Sequence, residues 1–466
     1  MRVYTSYHKS INLPIFIICL IIAIILGIWL ADNSIKQIVF VILAIGGIGA
    51  SIYRPKIPLF LFFLFIPLEL FTLLPSQTLT KFIGLYLSFL LFLELSITKR
   101  IWLPRSGKSL WILIYGLAAI LSLLASRDLS RSLTYLITLW LLIGMFFILS
   151  ITIRDIKTLH TGILFLLIGG FLSIVVSFIT GQGWQAQGVI VKGVRSVETF
   201  TRRGGLWGDP NEFASILLVL MPLSLLQFLR SKSFFMKIFT FGLFACLLFG
   251  FFRTYSRGGF LGFAILLILS IFKFDLLKRG TNKTRIIIYL VIVVIVAVVI
   301  FSMVSQTFIA RIETLKSLDS SMHSQKGEAI YARYQAYKSA LGLFLDHPIL
   351  GVGIRNFYLY NPVGVVHNTY LEVLTCTGLI GFIPFMTIVY LTWRELREVQ
   401  SFWRLRDRGN SLNYQYAVAL ELGFIAYLVT ILFLSLDIAK MTWLLITLSS
   451  ILRNISVNPN LVQIKR

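Results

Sequence analysis

The sequence predicts an all-α polytopic membrane protein, and three observations carry that prediction. The 466 residues are 57% hydrophobic and only 13% charged, with mean hydropathy +0.87. Apolar runs of roughly 17 to 25 residues recur along the chain, the length a helix needs to cross a bilayer. The ten-residue polar–apolar alternation of a membrane β-barrel is absent. In lipid every backbone group needs an internal partner, so the runs are read as helices.

Fourteen runs qualify. They lie near 12–30, 36–52, 57–74, 80–97, 109–125, 133–152, 160–180, 211–229, 237–252, 258–272, 286–304, 367–393, 414–434 and 439–452. The run from Leu13 to Leu30 follows Arg2 and Lys9 and has no small-residue cleavage site, so it reads as a retained first helix. Several of the later runs are short, which gives about 12–14 transmembrane helices. Basic residues orient them. Lys99, Arg100, Arg105 and Lys108 share one side with Lys273, Lys278, Arg279, Lys283 and Arg285 and with the Arg394–Arg408 loop. The positive-inside rule makes that side, and both termini, cytoplasmic.

Two loops on the other side are long. Residues 181–210 are Gly-rich and polar. Residues 305–366 form the largest segment outside the spans. Within it, Glu328–Leu345 repeats apolar residues at helical spacing: Ile330, Tyr334, Tyr337, Leu341 and Phe344. This predicts an amphipathic helix lying on the outer surface, with that stripe as its apolar face. Pro348, Gly351 and Gly353 end it. The chain is thus read as an N-terminal transmembrane bundle over 1–200, a core over 201–395 that includes loop 305–366, and C-terminal helices over 396–466.

A formal charge of +24 raises nucleic acid as a partner, but the basic residues are scattered over short loops and no nucleic-acid module is present. Such charge sets orientation and meets anionic membrane lipid. Cys19, Cys246 and Cys376 lie in or beside apolar runs without metal or disulfide spacing and read as small buried hydrophobes.

Four places are equipped for chemistry. The stretch Arg202-Arg203-Gly204-Gly205-Leu206-Trp207-Gly208-Asp209-Pro210-Asn211-Glu212 leads into a span, with Asp209 or Asn211 as cap and Pro210 in the first turn. It is either a capped helix with interfacial arginines or a cationic mouth for phosphate. In the second reading the glycines let a ligand approach the backbone. Arg253-Thr254-Tyr255-Ser256-Arg257-Gly258-Gly259 sets two arginines in a tight turn. They either snorkel to headgroups or fork onto a pyrophosphate. Arg333 on the amphipathic helix and Arg355 past the glycine turn are weak alone. His367-Asn368 opens a span, where His367 either caps the helix or acts as a general base near neutrality. His8, His160, His323 and His347 have no metal-ligand spacing with it, and there is no Asp-x-Asp motif, so neither a metal nor a cofactor is expected. Glu69, Glu94, Glu372 and Glu421 sit in or near apolar runs. They either act in the reaction, pair with buried arginines or stay protonated.

Together these stretches resemble the O-antigen ligase and polymerase family of bacterial envelopes. The matching pieces are Arg203-Gly204-Gly205 through Asp209-Pro210-Asn211-Glu212-Phe213-Ala214, then Ser256-Arg257-Gly258-Gly259. Arg333 follows, with Asp346-His347-Pro348-Ile349-Leu350-Gly351-Val352-Gly353. Last comes His367-Asn368, which after nine residues reaches Gly378-Leu379-Ile380-Gly381. The resemblance spans roughly residues 200–390. It implies a GT-C-like fold in the bacterial inner membrane with an extracytoplasmic active site. It also implies a donor glycan on undecaprenyl pyrophosphate and inverting, metal-independent transfer to an acceptor hydroxyl. The acceptor is lipid A-core or a similar saccharide for a ligase, and a second carrier-linked, growing polysaccharide for a polymerase. By that resemblance His367 is the base, and Arg203, Arg257 and Arg333 hold the pyrophosphate. Arg202 and Arg253 belong to the same clusters, with Asn211, Asn368 and Glu372 in support. The rival class is a transporter of lipid-linked glycans. Transporters place polar sites at the midplane of repeated halves, whereas here the motifs gather at one face.

Overall fold

The structure is a computed structural model. It describes residues 54–457 except 55, 70–71, 75–76, 99–105, 191–196, 274–324, 362–363, 408 and 410. The runs expected at 12–30, 36–52 and 286–304, with Cys19 and His323, lie outside the described residues. Among the described residues, eight helices are long and apolar enough to cross a membrane, and a shorter apolar helix covers Arg257–Ser270. The all-α polytopic class holds. Two short antiparallel hairpins interrupt it.

The chain divides into two compact units. The first comprises Met1–Ile101 and His160–Gly169. Helix α1 (Ile57–Phe65) starts with a proline in its first turn and buries Leu59, Phe62 and Phe63. It is only nine residues long, where the sequence predicts a span to residue 74. Pro67 has no N–H to extend the ladder, and β1 (Thr72–Leu74) instead pairs with β2 (Gln77–Thr78). Helix α2 (Leu79–Thr98) follows. Phe60 stacks on Phe165 at 5.5 Å.

The second unit, Trp102–Leu159 with Gly170–Arg466, holds the site. Its helices are α3 (Lys108–Leu121), α4 (Leu129–Thr152), the end of α5 (Ile156–Thr180), α6 (Pro210–Arg230), α7 (Phe234–Arg253), α8 (Arg257–Lys273), α9 (Gln325–Asp346), α10 (Thr369–Asp407), α11 (Leu412–Thr430) and α12 (Lys440–Val457). Asp128 caps α4 through the Arg131 N–H, and Asp155 caps α5 through the Thr158 N–H. The 181–210 loop is not irregular: β3 (Trp184–Ile190) pairs with β4 (Val197–Arg203) as an antiparallel hairpin.

Helices α6, α8 and α11 approach backbone to backbone at small residues, the packing that membrane interiors favour. A Cβ on Gly259 would lie 2.9 Å from the Ala214 methyl, one on Gly262 2.9 Å from the Ala426 carbonyl, and one on Gly423 3.0 Å from Val219 Cα. Two lysine–glutamate pairs tie helices of this unit together. Lys108 Nζ lies 2.7 Å from Glu395, which also accepts from Ser106 and Ser450. Lys273 meets Glu421, which takes further hydrogen bonds from Gln400 and Trp393. Glu421 is thus an ion-paired acid whose close partner is a lysine, where the sequence offered a buried arginine.

The amphipathic helix α9 is present but buries a different face from the one expected. Ala336 and Ala340 are fully buried against Phe357, Val366 and Cys376. Tyr334 is 60% and Leu341 47% exposed. Small residues let α9 lie close to α10, and the large apolar side chains are left facing outward. That is the arrangement of a helix at an apolar surface rather than one over a protein core.

Candidate active site

The site forms where α6, α8 and α10 begin and α7 and α11 end. Asp209 caps α6 by accepting from the Asn211 and Glu212 N–H groups, with Pro210 in the first turn. Asn368 caps α10 by accepting from the N–H groups of Tyr370 and Leu371. Two helix N-termini, each a locus of positive potential, therefore open onto this end. Thr369 Oγ1 donates to the Leu434 carbonyl at 2.6 Å. Gly258 packs against Phe433, so α8 and α10 both start beside the end of α11.

Arg202 is the bracket between elements. Its Nε donates to the Thr254 carbonyl in the α7–α8 turn at 2.9 Å, and its guanidinium donates to Asn211 Oδ1 at 2.6 Å. Arg202 is buried. Burial lowers its pKa below the usual arginine value; Asp209 opposes this, and Arg257 and Arg333 add to it. Burial and then Arg333, on α9, also lower the pKa of Arg257. Three guanidinium groups from β4, α8 and α9 thus share one electrostatic neighbourhood.

His367 lies in the same neighbourhood. Its pKa is lowered, first by burial and then by Arg333, with Asp209 and Glu372 pulling the other way. The imidazole is held neutral and able to accept a proton in ordinary buffer. Its backbone φ is +55°. Among the described residues only Tyr255, Arg355 and His367 combine a side chain with a positive φ, and such strain clusters at functional sites. Tyr255 lies between Arg253 and Arg257, and Arg355 reaches the carboxylate beneath the His367 turn.

That turn is braced from both sides. Tyr337 donates from its hydroxyl to the His367 carbonyl at 3.3 Å. Below it, Glu372, 1% exposed, accepts from the Val366 N–H at 3.1 Å and from Ser435 at 3.0 Å. Arg355 bridges Glu372 at 3.5 Å and Asp437 at 2.8 Å. Burial works against the charge on Arg355, but Asp437 and Glu372 outweigh it and raise its pKa above the ordinary value. Sequence reasoning had Arg355 and Glu372 as separate candidates and missed Asp437, Ser435 and Tyr337. The available signal was Asp437, an acid between two apolar runs.

Arg203 and Arg253 stand apart from this cluster. Arg203 stacks over Phe178, 3.5 Å from the ring centroid, and the charged groups acting on it are Arg253 and Tyr255. The glycines next to it are close-packed on the side that a Cβ would take. A Cβ on Gly204 would lie 2.3 Å from the Gly208 carbonyl, and one on Gly205 2.5 Å from the Phe213 ring. The chain's own atoms fill those spaces.

The two glycines of the Gly378-Leu379-Ile380-Gly381 segment serve α10 itself. Gly378 breaks the helix at φ 61°, ψ −164°. The 348–353 turn seats there: Leu379 N–H donates to the Pro348 carbonyl, and Val352 and Gly353 N–H groups donate to the Thr375 and Cys376 carbonyls.

One end of the apolar helical bundle thus links Arg202, Arg257 and Arg333 to one another and, through Arg333, to His367. Residues 242–386 match the family model described as O-antigen ligase. Over that part the chain is similar to the O-antigen ligase family, and its eight long apolar helices are those of a multi-pass membrane protein. The match takes in Arg253, Arg257, Arg333, His367, Asn368 and Glu372; Arg202, Arg203 and Asn211 lie ahead of it. No curated protein matches the chain.

Proposed function

We propose that the protein transfers a glycan from undecaprenyl pyrophosphate to an acceptor hydroxyl, as an O-antigen ligase does, on the extracytoplasmic face of the bacterial inner membrane. The observation that supports this reading is that Arg333 acts on His367 and also on Arg202 and Arg257, which links the three arginines to the imidazole through one side chain. In the reaction His367 takes the proton of the acceptor hydroxyl while that oxygen attacks the anomeric carbon. The bond from that carbon to the phosphate oxygen breaks, and the electron pair leaves on the pyrophosphate. A single displacement inverts the anomeric centre.

The leaving group gains negative charge as the bond breaks, so fixed cations aimed at it lower the barrier. Guanidinium groups fork onto phosphate oxygens and stay charged at any working pH. The arginines thus meet the developing charge with their own side chains, and the reading assigns no metal. Asn211 holds Arg202 in place. Asn368 and Glu372 fix the backbone on either side of His367.

The test is reconstitution of the full chain with a carrier-linked oligosaccharide and two acceptors, lipid A-core and a second carrier-linked glycan. Wild-type protein is expected to cap the core once. Growth of a carrier-linked chain instead would make it a polymerase. His367→Ala is expected to abolish transfer, by a factor of about 10²–10⁴ for a lost general base, while carrier binding is kept. Unchanged transfer would remove the proposed base.

A further inference from the structure

Consecutive residues on a β-strand point to opposite faces. Arg202 and Arg203 end strand β4, so two adjacent arginines serve two different places. Arg202 faces the cluster around His367. Arg203 faces the ends of α5 and α7, where Arg253 is the last residue of α7.

There the two cations flank one aromatic pair. Arg203 lies 3.5 Å from the Phe178 ring centroid and Arg253 6.0 Å from that of Phe249. The two rings are 5.3 Å apart. Burial and the neighbouring Arg253 both lower the Arg203 pKa, so its charge is held there against both influences. The Nε of Arg253 is buried without a hydrogen-bond partner. A small cleft at Arg203 is lined also by Ile174, Ser177, Phe178, Gly205, Phe213 and Gly250. The residues next in sequence, Ile179 and Phe249, are 78% and 42% exposed. Helices α5 and α7 are both membrane spans that end here, the depth at which lipid phosphates lie.

We infer that Arg203 and Arg253 form a second anion site, separate from the one at His367, which takes the phosphate-bearing headgroup of a membrane lipid whose tail lies along Phe249 and Ile179. A charged head between two guanidinium groups and a hydrocarbon tail on exposed rings require an amphiphile rather than free phosphate. Two lipids supply that chemistry: a bulk anionic phospholipid and a polyprenyl diphosphate.

The experiment uses the full chain in phosphatidylcholine nanodiscs, titrated with phosphatidylglycerol or with a short-chain polyprenyl diphosphate. Bound lipid is counted by native mass spectrometry. The double variant Arg203→Gln with Arg253→Gln is expected to lose one bound equivalent of at least one probe, with affinity lowered about tenfold or more. Arg257→Gln is expected to keep that equivalent. Loss of phosphatidylglycerol alone marks a bulk-lipid site, and loss of polyprenyl diphosphate marks a site for carrier-linked substrate. Wild-type retention of both probes by the double variant overturns the inference, as does loss of the same phosphatidylglycerol equivalent on Arg257→Gln alone. If the double variant fails to fold, Arg253→Gln is read in its place, with the same equivalent expected to weaken and unchanged binding overturning the inference. Arg203→Lys with Arg253→Lys keeps the charge and is expected to retain binding. His367→Ala is expected to bind both probes normally, which separates this inference from the proposed base.

Discussion

Replacing Gly378 with alanine probes the joint that seats the 348–353 turn beneath the site. The position is held at φ 61°, ψ −164°, a region that costs a residue with a side chain about 1–3 kcal/mol. A Cβ there would also stand 2.1 Å from the Ile349 carbonyl oxygen and 2.8 Å from the Gly351 nitrogen. Both are backbone atoms, so the turn itself must retreat. Retreat loosens the Leu379 to Pro348 hydrogen bond at 2.9 Å and those of Val352 and Gly353 at 3.0 Å, each with a net value of about 1 kcal/mol. The expected loss is about 4–6 kcal/mol. Gly342→Ala on α9 is the control. A Cβ there meets nothing within 4 Å, and alanine is a better helix former than glycine. That change is expected to leave stability unchanged or raise it by up to about 1 kcal/mol. Reversible unfolding of the detergent-solubilised chain by titrated dodecyl sulfate measures both. Equal stability of the two variants would refute the argument from backbone clash.

Three further outcomes are expected. Arg333→Gln removes a positive charge that helps depress the His367 pKa. Transfer needs the neutral imidazole and is lost as pH falls through that depressed value, so the acid limb of the pH–rate profile should move up towards 6.5; a limb that stays put or moves down contradicts the placement of Arg333. Glu372→Ala strips the Val366 N–H and Arg355 of a buried partner, with an expected loss of about 3 kcal/mol and a fall in kcat as the His367 turn is freed. Stability equal to wild type in the same unfolding titration would count against that bracing. Lys108→Ala leaves Glu395 buried and without its cation, costing about 3–5 kcal/mol, while Lys108→Met with Glu395→Gln should recover most of the loss. A double variant no more stable than the single one would argue against the pairing.

The sequence alone determined the class of fold, because hydropathy is a local property read against a fixed membrane thickness. It also narrowed the first cap to Asp209 or Asn211, since a cap acts on N–H groups only two or three residues away, whereas at the other helix the cap is Asn368 and not the His367 that the sequence offered. Tertiary structure decided what depends on distant partners. Arg202 and Arg203 look equivalent in sequence, and only the β3–β4 pairing shows that they face different places. The apolar stripe of α9 was legible, but not the choice of Ala336 and Ala340 as its buried face, which α10 imposes. The brace of Arg355, Glu372 and Asp437 joins three segments across 82 residues of chain. No local pattern encodes such a brace, because its energy exists only once burial removes water from all three charges together.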